Sequence, residues 1–237
     1  MDDLTLAARA TMTLVTVAFV LGARRALFRA PSPLERPGTR VLFGVLAVAL
    51  IFTFVPALLP VVLVVFPLGL FLGLGLAVTS VLSPRIHALF ARLSDGDVRM
   101  LVGARAAFGA LLIALAATGT IPKAFAMSAG IGDIAVGALA LAVPGNLQEA
   151  RVWRGLVHGV GIADLVQVVY LAITVVRPFL VARGEAPITM ALPWLVVPLM
   201  VAIDLHGIRK AIARAKPESR SDGSEPAGRV RRALPGA

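Results

Sequence analysis

The chain is organised around residues 122–140, which read PKAFAMSAGIGDIAVGALA. This segment has the length and apolar character of a membrane-spanning helix, yet it contains Asp133 near its middle. At about 100° per residue, several small residues share the helical face of Asp133. They are Ala126, Ala129, Gly130, Gly137 and Ala140. The pattern predicts a helix that packs closely against its neighbours around one carboxylate.

The composition of the whole chain indicates an integral membrane protein. Of its 237 residues, 58% are hydrophobic and only 15% are charged, and the mean hydropathy is +0.89. The 44 residues between Arg40 and Arg85 contain no charge, which is enough for two crossings of about 20 residues each. Because these runs do not alternate between apolar and polar residues, the predicted fold class is an all-α polytopic helical bundle.

The apolar runs predict seven spans within a bundle formed by residues 1–210. The spans are residues 5–22, 41–59, 61–82, 100–119, 124–143, 155–176 and 190–208. Prolines crowd residues 56–60, so we predict a turn there, with a broken or re-entrant helix as the alternative. Residues 211–237 are rich in Arg, Ser, Gly and Pro and are predicted to be a disordered basic tail.

The distribution of basic residues predicts the orientation. With these spans, 18 of the 23 Lys and Arg residues fall on one side of the membrane. The excess of positive charge marks the cytoplasmic side, so the N-terminus is predicted outside and the C-terminus in the cytoplasm. The net charge of +10 is thereby explained without nucleic acid. We expect a multi-pass protein of a bacterial-type cytoplasmic membrane whose partners are the lipid bilayer and either further copies or another membrane protein.

The chain lacks the residues and motifs that several kinds of chemistry require. The chain has no cysteine, which excludes disulfides, thiol catalysis and cysteine-ligated metals. Its three histidines are scattered, and neither a Walker A sequence nor a G-x-S-x-G motif occurs. No metal or cofactor is therefore predicted, and an enzyme acting on lipid or quinone ranks last among the functions considered.

Asp133 and Asp164 are the candidate site, because an ionisable side chain inside a span is costly and rare. Asp133 lies about 15 Å from the predicted end of its span, and Asp164 lies about 13.5 Å from the start of the next. The two helices are antiparallel neighbours, so both carboxylates should lie near the midplane. Arg105 is the predicted counter-charge, while Gln167 and Tyr170 extend the polar side of the helix that carries Asp164.

Each of these residues has a structural alternative. Arg105 could extend to the cytoplasmic interface, and Gln167 and Tyr170 could serve only as interhelical hydrogen bonds. Asp204 competes with Asp133 for Arg105, but with His206 it is interpreted as an interface cluster, and His158 as an interfacial or packed histidine. Small residues are assigned to helix packing. They are Ala129, Gly130, Gly137, Gly155 and Gly159.

Three segments together resemble a family of bacterial multi-span membrane proteins with no assigned function. They are Ile121–Gly137, Trp153–Leu165 and Leu192–Leu199, and the resemblance extends over most of residues 41–210. It implies a membrane location and a helical bundle. It implies no substrate and no functional residues.

The leading functional prediction is the movement of a proton, a cation or a small solute through an acidic site on the fifth and sixth spans. The alternative is a non-catalytic membrane partner or assembly protein, in which the buried polar residues only hold the bundle together.

Overall fold

The computed structural model describes residues 3–55, 58–142, 151–184 and 189–213, and throughout these ranges the regular structure is helical. Ten α-helices are present in this part of the chain. They are α1 (Asp3–Leu27), α2 (Glu35–Phe54), α3 (Leu59–Leu82), α4 (Pro84–Ala91), α5 (Asp95–Gly103), α6 (Arg105–Ala117), α7 (Lys123–Ala142), α8 (Arg151–Leu171), α9 (Arg177–Arg183) and α10 (Val197–Ala213).

Among the residues that the structure describes, six helical segments are long and apolar enough to cross a membrane. They are Leu6–Leu27, Glu35–Phe54, Val64–Leu82, Asp95–Ala117, Lys123–Ala142 and Gly155–Arg183. The predicted all-α class is therefore confirmed, and a membrane location is consistent with these lengths. The last predicted span falls on the segment Leu192–Val196 together with α10, and its crossing stays a prediction.

Two prolines explain where the helices widen. The segments Ala172–Val176 and Leu192–Val196 are π-helical, and each ends two residues before a proline, Pro178 or Pro198. Proline has no backbone N–H and its ring clashes with the preceding turn, so the regular hydrogen-bond ladder cannot continue through it. A π-helical turn accommodates that interruption without ending the helix.

Side-chain caps fix where the two short helices at one end of the bundle begin. Ser83 caps α4 by accepting a hydrogen bond from the Ile86 amide, with Pro84 in the first turn. Ser94 and Asp97 form a reciprocal capping box at the start of α5. Asp97 also pairs with Arg29 at 2.6 Å, which ties α5 to the chain that follows α1. This end, where α4 and α5 lie, is called the α5 end below.

The last helix lies at the centre of the bundle, and α3 receives it through two glycines. Every residue from Val197 to Asp204 is buried. A Cβ added at Gly73 would approach Pro198 Cγ to 2.6 Å, and one at Gly69 would meet the Trp194 ring. Small residues four apart thus let α3 and the last helix approach closely.

Helices α6 and α7 make the closest helix pair, through the small residues predicted around Asp133. A Cβ added at Gly130 would lie 2.8 Å from the Gly109 carbonyl oxygen, and one at Gly137 would lie 2.5 Å from the Ala106 amide nitrogen. Ala129 on the same face is fully buried. The two backbones are therefore in contact on the face that carries Asp133.

Parts of two predictions fall on residues that the structure does not describe. Helix α2 ends at Phe54 and α3 begins at Leu59, but residues 56 and 57 of the predicted turn lie outside the described ranges. Of the predicted tail, residues 211–213 belong to α10, and residues 214–237 lie outside the described ranges.

Candidate functional site

Arg105, the first residue of α6, lies at the centre of a group of buried charges. Its side chain is fully buried. Its Nε donates a hydrogen bond to Asp133 Oδ1 of α7 at 2.7 Å, and its Nη2 donates to Asp164 Oδ2 of α8. The three predicted residues therefore meet, but the guanidinium lies between the two carboxylates. The alternative in which Arg105 extends to the interface is wrong, because every potential acceptor it binds is inside the bundle.

The same guanidinium reaches the last helix. Arg105 Nη1 donates to the Gly161 carbonyl oxygen at 3.2 Å and lies 3.5 Å from Asp204 Oδ2 of α10. The other oxygen of Asp204 is 2.8 Å from His158 Nδ1 of α8. Arg105, Asp133, Asp164, Asp204 and His158 are called the Arg105 cluster below. All five are buried, and they connect α6, α7, α8 and α10.

The interpretation of Asp204 as an interface residue is wrong, since it belongs to this cluster, and His158, interpreted as interfacial or packed, is packed inside the bundle. His158 lies about 120° from Asp164 around α8, and that angle directs it toward α10 instead of α7. The sequence carried one signal for this contact. Gly207, one turn after Asp204, leaves room for the imidazole, because a Cβ there would lie 2.6 Å from His158 Cε1.

Two further glycines make room for the charged groups. A Cβ at Gly161 would lie 2.6 Å from Asp204 Oδ2 and 3.1 Å from Arg105 Nη1. A Cβ at Gly132 would overlap the carboxylate of Asp164. The similar sequences GIGD (residues 130–133) and GIAD (residues 161–164) therefore each contain a glycine where a carboxylate or guanidinium must approach the backbone.

Other predicted residues lie elsewhere. Gln167 Nε2 donates to Ser128 Oγ at 2.5 Å on the outside of the bundle, and Tyr170 is 64% exposed, so neither extends the cluster. Gly155 and Gly159 face open space, and in the described part of the chain they contact no neighbouring helix. Within the described residues these two glycines therefore make no internal packing contact, and contact with a further copy of the chain stays a prediction. They lie about 140–180° from Asp164 around α8 and so face away from α7 and α10.

His158 also faces a cavity that extends toward the α5 end. The cavity has a volume of about 60 Å³. Its lining includes Arg99 of α5, Trp153 and His158 of α8, and Lys210 of α10. A neighbouring cavity of about 270 Å³ also borders Lys210. His158 is thus the member of the cluster that joins the buried carboxylates to space near the end of the bundle.

The other two histidines line the larger cavity. His87 Nδ1 of α4 and His206 Nδ1 of α10 are 2.8 Å apart. One of these nitrogens carries a hydrogen and donates the hydrogen bond, and the other accepts it through its lone pair. His206 Nε2 is 3.1 Å from Ser80 Oγ, and its ring stacks on Phe90. Burial and the nearby Arg209 charge lower the pKa of His87 below its ordinary value of 6.5. His206 was correctly placed near this end, but it takes no part in the Arg105 cluster.

The cluster combines one guanidinium, three carboxylates and one imidazole. Such groups can hold and exchange protons, since neighbouring carboxylates in a low-dielectric site favour sharing of a proton. Within the described ranges, no group of three or more His, Asp or Glu side chains is arranged to hold a metal ion. The guanidinium itself occupies the space between the carboxylates that a cation would need.

Among known proteins, the chain matches a sequence family. The model of a family described as "Domain of unknown function (DUF8737)" matches residues 70–210. That range contains all five members of the Arg105 cluster. No curated protein and no solved structure matches the chain.

Proposed function

The chain belongs to the DUF8737 family, and we propose that it moves protons across a cell membrane through the Arg105 cluster. The observation that supports this most strongly is a fully buried guanidinium that contacts three carboxylates from three other helices. Buried ionisable groups in a membrane bundle commonly mark ion pathways and proton relays.

The charge of the cluster favours proton binding. With every carboxylate ionised and His158 neutral, one positive group would face three negative groups, a formal charge of −2. An uncompensated charge in a low-dielectric interior costs several kcal/mol. Adding one proton halves this imbalance, adding two removes it, and losing them restores it. The cluster therefore has a physical reason to take up and release protons.

Among the three kinds of cargo predicted from the sequence, the arrangement favours a proton. A metal cation would have to approach beside Arg105, whose positive charge repels it. The guanidinium nitrogens also already donate hydrogen bonds to oxygens of Asp133 and Asp164. A larger solute has little room, because Gly109 and Gly130 bring α6 and α7 into backbone contact next to Asp133. A proton needs neither a coordination shell nor a wide passage.

His158 provides the exchange route toward one face of the membrane. It lines the cavity near the α5 end and hydrogen-bonds Asp204 with 2.8 Å between Nδ1 and Oδ1, so a proton can pass between the two groups along a single hydrogen bond. With seven spans and the N-terminus outside, as the basic residues predict, the α5 end faces the cytoplasm.

The proposal is tested by proton flux into proteoliposomes that contain a trapped pH-sensitive dye. With an imposed pH gradient, the wild-type protein should dissipate the gradient faster than empty liposomes. Asp164→Asn and Asp133→Asn should each reduce the flux by about tenfold or more, because the amide cannot release a proton.

Asp97→Asn is the matched control. Asp97 is also a buried carboxylate paired with an arginine, but it lies outside the cluster at the start of α5. Its variant should keep the wild-type flux. If Asp133→Asn and Asp164→Asn remain folded and both retain full flux, the proposal is wrong for this site.

The second candidate is a membrane partner or assembly protein in which the cluster has a structural role only. The contact that favours it is the backbone-to-backbone packing of α6 on α7 around Asp133, because such packing seals a site as readily as it supports one. This candidate expects no wild-type flux, together with loss of folded protein from the membrane for Asp133→Asn.

A further inference from the structure

The cavity that His158 faces combines charged side chains with an apolar lining. It has a volume of about 60 Å³ and lies between α5, α7, α8 and α10. Arg99, Trp153 and Lys210 in its lining are half-buried, so the cavity reaches the surface of the bundle at these residues. The apolar or small residues of the lining are Val98, Val102, Ala140, Val157 and Gly207.

The spacing on two helices explains how cations and apolar side chains come to share this space. On α5, Val98 and Val102 lie one helical turn apart, and Arg99 lies beside them. On α10, Lys210 follows Gly207 by three residues and lines the same cavity. The stems of arginine and lysine are apolar, so they can pack along such a lining while their charged ends stay at the surface.

The charges of the lining favour an anion. Among the described residues that line the cavity, the cations Arg99 and Lys210 face one acid, Asp95. Without His158 the formal charge is therefore +1, which attracts an anionic group. The valines next to these cations would gain from contact with hydrocarbon. The lining as a whole fits a ligand that joins an anionic group to an apolar chain.

The position of the cavity indicates that this ligand is a lipid. Arg99 lies one turn from the start of the candidate membrane span Asp95–Ala117, and Arg105 lies six residues, or about 9 Å, further along the chain. The first turn of a span lies near the lipid headgroups, where the indole of Trp153 is also favoured. Basic pockets between membrane helices bind the phosphate groups of anionic lipids.

The larger neighbouring cavity provides room for more of such a molecule. It has a volume of about 270 Å³ and shares Val98, Gly207 and Lys210 with the smaller one. Liquid water takes up roughly 30 Å³ per molecule, so the smaller cavity alone holds only a part of a lipid. The larger cavity is lined mainly by apolar residues, among them Phe90 and Ile203. Lys210 borders both cavities.

We propose that these two adjoining cavities form a binding site for an anionic phospholipid. Arg99 and Lys210 hold its phosphate group, and its hydrocarbon packs on the apolar lining. The proposal rests on the membrane location of the chain and does not require that the protein moves protons.

Trp153 allows the site to be tested directly, because its side chain lines the smaller cavity. The full-length protein is reconstituted into phosphatidylcholine vesicles with increasing fractions of phosphatidylglycerol whose acyl chains are brominated. Bromine quenches tryptophan fluorescence on contact. The chain has two tryptophans, and the second, Trp194, packs against Gly69 of α3. Its signal is measured in Trp153→Phe and subtracted.

Brominated phosphatidylglycerol should quench Trp153 at a mole fraction at least about fivefold lower than brominated phosphatidylcholine does. Arg99→Gln and Lys210→Gln should each raise the required fraction about fivefold, the effect of one cation beside anionic lipid. Arg85→Gln is the matched control, since Arg85 is an exposed cation of α4 at the same end that lines neither cavity. It should match the wild type.

Equal quenching by the two brominated lipids in the wild-type protein would overturn the proposal, and this comparison decides alone if the cavity variants do not fold. An effect of Arg85→Gln as large as that of Arg99→Gln and Lys210→Gln would also overturn it, because general surface charge would then explain the binding. Soluble glycerol phosphate, which has the anionic group without the chains, should not relieve the quenching at millimolar concentration. If it does, the site takes a free phosphate compound and the lipid assignment is wrong.

Discussion

At the scale of single residues, three glycines set how closely the charged groups approach. Gly132, Gly161 and Gly207 lie where a methyl group would collide with Asp164, with Asp204 or with the ring of His158. The close approach of the buried charged groups therefore depends on glycine at these three positions as much as on the ionisable side chains. Arg105 can bridge three helices only because α8 presents bare backbone at Gly161, whose carbonyl also accepts a hydrogen bond from the guanidinium.

Gly161→Ala should destabilise the protein and disturb the cluster. The added methyl must displace Asp204 or Arg105, and overpacking of this kind typically costs about 1–3 kcal/mol. Thermal unfolding in detergent measures the loss. Gly159→Ala is the control on the same helix two residues away, where the methyl meets open space. It should be neutral or stabilising by up to about 1 kcal/mol, from helix propensity alone. Equal losses for the two variants would contradict the packing described for Gly161.

At the scale of helices, the contact of α4 with α10 depends on the protonation of two histidines. His87 Nδ1 and His206 Nδ1 share one hydrogen bond, and charging both rings would leave two N–H donors facing each other and break it. The pKa of His87 is lowered in the folded protein, so the unfolded chain binds more protons near the ordinary value of 6.5. This contribution to stability is present above that pH and is lost as the pH falls below it.

The expected result is a thermal unfolding temperature that falls as the pH is lowered through about 6.5. His87→Gln should show a smaller decrease over the same range, since it removes one titrating group and leaves His158 and His206 in place. The comparison is made by unfolding scans of both proteins at matched pH values. If the two proteins show the same pH dependence, the His87 contact does not contribute in this way.

At the scale of the whole molecule, the sequence predicted the helical class and the central pair of acids, but not how the helices surround them. Asp133, Asp164 and Arg105 stand out because charges are rare inside apolar runs. Asp204 and His158 do not, since each lies near the end of its run and resembles an interface residue. Their membership follows from the position of the last helix at the centre of the bundle, which no local pattern of residues specifies.

The glycines likewise include some whose burial a single helix predicts and others whose contacts depend on the neighbouring helices. Around Asp133, the small residues lie on the face of the acid, and the periodicity of a single helix predicts their burial. Gly155 and Gly159 have the same four-residue spacing but face outward. Spacing identifies a face that permits close approach. Only the arrangement of the other helices decides whether a neighbour uses it.

Whether the buried Arg105 cluster gains and releases a proton can be measured by infrared difference spectroscopy between acidic and alkaline pH. The wild-type protein should show a carbonyl band from a protonated carboxylic acid that appears on acidification. This band should be lost or shifted in Asp164→Asn and remain unchanged in Asp97→Asn. A spectrum without a pH-dependent carboxylic acid band, or one identical in the wild type and Asp164→Asn, would contradict proton exchange by the cluster.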